Sequence, residues 1–339
     1  MWFGIRAVPA KEIDSRRRNA DTNGCVKPDP PEAANLYLQD DRPGLPIAVL
    51  GEVLWDLFKN SRRLGGAPLN FAVHARQLGH PVTLISALGE DELGDSALGL
   101  IAALGLDTRL LQTTSRYPTG TAQVELIPGG RTHFTIPRPA AYDAVDLSES
   151  EMEILRGIAP RWFYYGTLFA STCSGKRVLH QLIDGMTRAS KFYDLNLRPG
   201  ADSPEVVQEL LQCADVVKLN EDELQRVQEF TGLPSGIEAF CREGASRFGW
   251  RAVGVTLGDR GCAIYAHDRY AEAAGHPVDV VDTVGAGDAF SAAFLHGLSS
   301  HWPVAEIAAF ANRLAARVVS QQGALPDWAP EETVASHEK

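Results

Sequence analysis

From residue 46 onward the chain alternates short apolar runs with amphipathic segments, and this alternation restricts the fold more than any other feature. The runs at 47–54, 82–88, 162–165, 191–195, 216–219, 252–256, 262–265 and 278–281 read as strands. Segments 92–104, 175–188, 205–212, 221–230, 236–247, 287–298 and 304–319 read as helices. Another helix begins at Pro68, which suits a first helical position, and Gly79 suits the residue just beyond its end. Parallel neighbours need a crossover, so strands alternating with helices predict an α/β fold with a mainly parallel sheet flanked by helices. One stretch breaks the order: the strand-like runs 120–127 and 132–136 are joined by Pro128-Gly129-Gly130-Arg131. That is a hairpin signal, and the pair is expected in a small β-sheet beside the main one.

Composition narrows the partners. With 32 Lys and Arg against 43 Asp and Glu, the formal charge is −11. No nucleic-acid or anionic-membrane surface is expected, because such binding needs a basic face. No run approaches the roughly 20 apolar residues of a membrane span, and the first residues lack the pattern of a signal peptide. The five cysteines are widely spaced and form no CxxC pair, as expected of reduced thiols in a cytoplasmic protein.

The most informative segment is Val280-Val281-Asp282-Thr283-Val284-Gly285-Ala286-Gly287-Asp288-Ala289-Phe290, a β-rich run, a glycine turn and an apolar-striped helix. Glycines here let backbone N–H groups converge at a helix N-terminus, where donors and macrodipole together attract an anion. A dinucleotide fingerprint fits poorly, since Phe290 stands where its third glycine belongs and the segment lies late in the chain. Asp288 would also repel a resting pyrophosphate. It suits a reacting phosphoryl group instead, as the base that takes the proton of an attacking alcohol. The bland alternative is a helix cap on a tight turn. A P-loop is excluded, because the nearest candidate, Ala170 to Arg177, lacks both the first glycine and the hydroxyl residue.

At this point the chain resembles the PfkB or ribokinase-like carbohydrate kinases, most closely their fructokinase-like branch. One signature is 282–290; the other is Gly65-Gly66-Ala67-Pro68-Leu69-Asn70-Phe71-Ala72 continuing to Leu78-Gly79. The resemblance runs from about Pro46 to Pro326. It implies a kinase domain over 46–330, with a β lid from segments near 52–66 and 119–137; residues 1–45, with clustered prolines and no persistent apolar period, read as a flexible extension, and 331–339 as a tail. It also implies ATP as phosphoryl donor, Mg2+ with the nucleotide, Asp288 as base, Gly285, Ala286 and Gly287 as the anion hole, and a K+ ion beside the loop on the carbonyls of Asp282 and Val284. Asn220-Glu221-Asp222-Glu223 is similar to the family's NxxE motif, in which Asn220 and Glu223 organise Mg2+ through water. Thr256, Gly258 and Gly261 resemble its nucleotide-side loop, and Asn312 lies on the helix that borders the adenine in relatives.

Beside that resemblance, the residue chemistry adds three points. Alternation puts Asp194, Asn196 and Arg198 on one face at a strand end, where Arg198 can bind phosphate; an ion pair between Asp194 and Arg198 is the alternative. Asp56 and Asn70 are the best ligands for sugar hydroxyls, since a carboxylate accepts from two and an amide both donates and accepts. Gly65 and Gly66 allow close backbone approach. The expected function is phosphoryl transfer to a primary hydroxyl, with D-fructose as substrate and ribose, 2-keto-3-deoxygluconate and nucleosides as rivals. A non-catalytic sugar- or nucleotide-binding protein on the same fold is the competing class. A small sheet with free edges is poorly stable alone, so a homodimer through the lid is also expected.

Overall fold

The computed structural model describes residues 44–127 and 131–328. All but the last two residues of the expected extension, the whole tail and the hairpin tip at 128–130 lie outside the described residues. The first half contains β1 (Ile47–Leu50), β2 (Leu54–Phe58), β3 (Ser61–Gly65), α1 (Ala67–Gln77), β4 (Val82–Gly89), α2 (Glu92–Ala103), β5 (Leu111–Thr114), β6 (Gly120–Ile127), β7 (Arg131–Thr135) and α3 (Glu149–Ile158). The second half contains β8 (Trp162–Gly166), α4 (Thr167–Ala170), α5 (Cys173–Gly185), β9 (Ser190–Asp194), α6 (Pro204–Cys213), β10 (Val216–Asn220), α7 (Glu221–Thr231), α8 (Ile237–Phe248), β11 (Ala252–Thr256), β12 (Gly261–Ala266), β13 (Arg269–Ala274), α9 (Ala286–Ser299) and α10 (Val304–Val319).

Nine strands form the main sheet in the order β13-β12-β11-β10-β9-β8-β1-β4-β5. From β11 to β5 every pairing is parallel, and β12 and β13 close one edge antiparallel. β1 is buried throughout and pairs with β4 on one side and β8 on the other. The strand order reverses around it, which opens a crevice at the carboxyl ends of the strands. A second sheet, ordered β3-β2-β6-β7, combines a β2–β3 hairpin and a β6–β7 hairpin joined by parallel pairing of β2 with β6.

Period-two alternation of the central strands feeds two apolar layers. Ile47, Val49, Tyr164 and Phe192 pack with Phe71 of α1, Phe290 of α9 and Phe310 of α10 on one face; Leu50, Phe163 and Tyr165 pack with Leu179, Leu210 and Phe240 on the other. Phe71 stacks on Tyr164 with ring centroids 3.9 Å apart. That contact seats the first turn of α1 against the sheet and so fixes the neighbouring Asn70.

Three expectations are corrected. The run 47–54 is two strands, one in each sheet, broken at Gly51. Residues 278–281 form no strand: Val280 and Val281 are 66% and 58% exposed, and the main chain is tied to the end of α10 by Val281 N–H donating to Val319 O. β-Branched composition alone did not make a ladder there, and β13, unread in the sequence, takes the sheet edge instead. β9 stops at Asp194, and Asn196 has φ of 40°, so strand alternation does not govern 194–198. Among the described residues Cys173, Cys241 and Cys262 are free.

No helix among the described residues is long and apolar enough to cross a membrane.

Candidate active site

The carboxyl ends of β9 and β10 meet the first turns of α1, α7 and α9, and β2–β3 of the small sheet stands against them. α9 begins at Ala286 after Gly285, whose φ is 85° and which offers no side-chain cap. The first-turn N–H groups of a helix have no intrahelical acceptor, so Ala286, Gly287 and Asp288 present donors at the positive end of the dipole. Gly285 cannot be replaced without strain: a Cβ there would come within 2.6–2.8 Å of Ala324. At Gly287 a Cβ would lie 3.1 Å from Lys218 Nζ, so the bare glycine lets the lysine approach the turn.

Asp288 is half-buried and held by Asn70, whose Nδ2 donates to Asp288 Oδ2 at 2.8 Å. The other amide atom, Asn70 Oδ1, is buried without a hydrogen-bond partner. An orphaned buried acceptor is costly, and its position beside Asp288 suits a ligand hydroxyl as donor. Burial pushes the Asp288 carboxyl up to about 6; the Asp194 carboxylate adds to this, while the Asn70 bond and the charges of Lys218 and Arg198 oppose it.

Behind Asp288 lies a buried polar network. Asp194, wholly buried, accepts from Lys218 Nζ at 3.2 Å, Ser291 Oγ at 2.7 Å and Tyr164 Oη at 3.2 Å. The anticipated alternative of an Asp194–Arg198 pair is therefore corrected: its ion partner is Lys218, placed opposite it by the parallel β9–β10 register. Burial works against the charge of Lys218, but Asp194, Glu223 and Asp288 outweigh it and raise its pKa. Arg198 sits with its guanidinium 5.7 Å from the Phe134 ring centroid of β7 and exerts its field on Glu52, Asp56 and Asp288.

On the small-sheet side, Asp56 is 7% exposed, and a Cβ on Gly65 would come 2.7 Å from its Oδ2. Gly66, with φ of 110°, lies against the Glu52 carbonyl. Burial pushes Asp56 up to about 6 against the pull of Arg198 and Arg63. Glu52, in the turn from β1 to β2, is pushed up to about 7 by burial, with its own backbone N–H, Arg198 and Arg138 opposing and Asp288 adding.

The remaining expected residues line the β10–β11 side. Asn220 caps α7: its Oδ1 accepts from Glu223 N–H at 2.9 Å, and Glu223 Oε2 accepts from Asn220 N–H at 2.8 Å. Glu223 Oε1 accepts from Leu197 N–H at 2.8 Å, which ties the loop carrying Arg198 to α7. Thr256 stands opposite Asn220 across parallel strands, with Gly258 and Gly261 in the left-handed region after it. A Cβ at Gly261 would meet Ala273 O at 1.9 Å. Asn312 is turned to the sheet edge, its Nδ2 donating to Ala274 O at 2.6 Å, so that donor is committed to structure. Asp282 and Val284 lead directly into the turn, and Val284 N–H donates to Asp282 Oδ1 at 3.1 Å. Among the described residues no group of three or more His, Cys, Asp or Glu gathers as a metal cage.

Three participants escaped the sequence. Lys218 reads as a lone polar residue in an apolar run, Ser291 as part of the helix, and Glu52 as one residue within the strand run 47–54. The GlyGlu pair after β1 and the Lys218 position just before the NxxE motif were the available signals.

Comparison with known proteins gives the family and the fold. Residues 34–331 match the family model described as pfkB family carbohydrate kinase. Fructokinase-1 of Zea mays is 30% identical over 285 residues, covering 80% of this chain and 86% of that protein. Among solved structures, a fructokinase of Vibrio cholerae with fructose, ADP and calcium ion bound superposes with TM-score 0.72 at 24% identity, covering 86% of this chain and 98% of that one. A 2-dehydro-3-deoxygluconokinase of Thermotoga maritima gives TM-score 0.75 at 20% identity, with the same two coverages, 86% and 98%.

The Asn70 bond makes a direct test of the site's electrostatics. Burial pushes Asp288 up to about 6, so its carboxyl is expected to titrate there in the native chain, and Asn70→Leu, which removes the donor at similar volume, moves that titration upward. Carboxyl 13C NMR, with the resonance assigned by its loss in Asp288→Asn, reads it; a native titration near 4, or no response to Asn70→Leu, contradicts the geometry.

Proposed function

The chain belongs to the pfkB family of carbohydrate kinases and is a phosphotransferase acting on a sugar hydroxyl, and from this premise we propose that it transfers the γ-phosphoryl group of ATP to D-fructose. The observation that carries the reading is Asp288 at the mouth of an uncapped helix, held by Asn70.

A primary hydroxyl donates to Asp288, and its oxygen attacks the γ-phosphorus as the bond to the β,γ-bridging oxygen breaks; the proton goes to Asp288 and ADP leaves. With a pKa of about 6 the carboxylate is mostly ionised at neutral pH and still close enough to it to accept the proton well. The N–H groups of Gly287 and Asp288, the α9 dipole, Lys218 and Arg198 oppose the charge spread over the transferring group. Asn70 keeps the carboxylate aimed and offers Oδ1 to a second hydroxyl, and Asp56 accepts from others. Thr256, Gly258 and Gly261 border the nucleotide.

The donor set fits a divalent ion carried on phosphates. Both Glu223 oxygens already accept backbone N–H groups, so Asn220 and Glu223 would hold Mg2+ through water rather than in a cage. When bound, that ion neutralises the β- and γ-phosphates. A K+ ion beside the turn would take the main-chain carbonyls of Asp282 and Val284, since the Asp282 side chain is engaged elsewhere.

For the acceptor, the sugar side carries Glu52, Asp56 and Asp288, whereas of its cations Arg138 is committed to an ion pair with Asp143. A neutral polyol suits that balance better than a sugar acid or a sugar phosphate, and the maize relative's name supports fructose. The four-stranded sheet also ends on β3 and β7. In a homodimer the two small sheets would cover one another.

Two measurements test these proposals. In an ATP-consumption panel over fructose, ribose, glucose, 2-keto-3-deoxygluconate, adenosine and fructose phosphates, fructose gives the highest kcat/KM, and Asp288→Asn lowers turnover by about 10²-fold or more while the fold is kept. Fructose below about a tenth of the best substrate refutes the acceptor alone, wild-type turnover in Asp288→Asn refutes the base, and silence throughout favours a non-catalytic binding protein. Light scattering at assay concentration reads twice the chain mass; a strict monomer refutes the dimer.

A further inference from the structure

The loop that enters α9 is tied to the small sheet at one point. Arg63 of β3 donates from Nη1 to Asp282 Oδ2 at 2.9 Å, across 219 residues of sequence. The same carboxylate accepts Val284 N–H on Oδ1 and Gly323 N–H on Oδ2, each at 3.1 Å. Val284 and Gly285 are the last residues before the helix, and Ala324, next to Gly323, is the surface on which Gly285 rests. Asp282 therefore fixes both the entry to the turn and its floor.

On its other side, Arg63 stands directly opposite Asp56 in the antiparallel β2–β3 register. Directly opposed residues share one face of a sheet, and the Arg63 charge acts on the Asp56 carboxylate. One guanidinium thus lies between the carboxylate assigned to the sugar and the carboxylate that shapes the phosphoryl turn. Main-chain hydrogen bonds could hold the turn without any contact to the small sheet; Arg63 adds the link between the two substrates.

We propose that Arg63 and Asp282 are positioning residues that couple sugar binding to nucleotide binding: a sugar held at Asp56 steadies β2–β3, keeps Arg63 on Asp282, and so sets the turn that receives the transferring phosphoryl group. The proposal rests on the kinase assignment above. With side chains 33% and 18% exposed, the pair contributes little to global stability, so its loss is read in coupling and not in Tm.

Calorimetric titration of ADP, with and without saturating amounts of the best sugar from the panel, tests it in the wild-type chain and in Arg63→Gln, Arg63→Lys and the exposed hairpin control Lys59→Gln. In the wild type the sugar tightens ADP binding. Arg63→Gln loses about five- to tenfold of that tightening with Tm nearly unchanged, while Arg63→Lys and Lys59→Gln keep it. Asp282→Asn, which retains Oδ1 for Val284, reproduces the loss and carries the test if Arg63→Gln does not fold. Wild-type tightening in both variants, a fall in Tm with tightening intact, or no tightening in the wild type overturns the proposal. If the wild-type chain consumes ATP with no sugar at all, the kinase assignment fails first, and that failure is visible without any variant.

Discussion

A single buried lysine allows the carboxylates of this site to gather. Lys218 lies in the middle of β10 with its ammonium on Asp194, and its field reaches Glu223 and Asp288. Without it, Asp194 would be a buried anion beside the proposed base, and Asp288 would be driven further toward its neutral form. The same ammonium lies close to the start of α9, where a Cβ on Gly287 would stand 3.1 Å from it. Charge balance, helix dipole and glycine turn are thus one arrangement in which the proposed base and the proposed anion hole stand together without neutralising each other.

That arrangement is assembled from distant parts of the chain by ordinary packing. Phe71 and Tyr164 seat α1 on the sheet, α1 lies against α9, and Asn70 consequently meets Asp288 across 218 residues. Further along α1, His74 Nε2 meets Ala324 O at 2.9 Å, which holds the segment beneath Gly285. Burial pushes this imidazole down to about 4, so it is neutral under ordinary conditions, with Nδ1 accepting from Trp328 Nε1 at 3.2 Å. The apolar core and the site are therefore not separate: the residues that stabilise α1 also set the geometry of the base.

Much of this was legible in the sequence because the chemistry sits in local patterns. Gly285 to Asp288 announces an anion hole with a carboxylate, Gly65 to Asn70 the other half, and alternating strands and helices the sheet that joins them. What stayed hidden depends on register or on competition between elements. Lys218 reads as a stray charge until parallel pairing puts it opposite Asp194, 24 residues away. Glu52 gains its burial only when the chain leaves β1 for the small sheet. Val280 and Val281 look like strand residues, yet the end of α10 takes the main chain of Val281 and both valines face solvent. α3 went unread although Ser148 and Glu151 form the reciprocal cap that marks its start.

The turn before α9 is proposed to stabilise a transferring phosphoryl group between a nucleotide and a sugar hydroxyl. Fluoroaluminate mimics that group, and 19F NMR resolves its protein-bound form from the free species. A bound signal is expected when ADP, a divalent ion, fluoroaluminate and the acceptor sugar are all present, and it should vanish when the sugar is withheld or Gly285 is replaced by alanine. If ADP and sugar both bind but no bound fluoride signal appears, the turn does not hold the transferring group and the account is wrong.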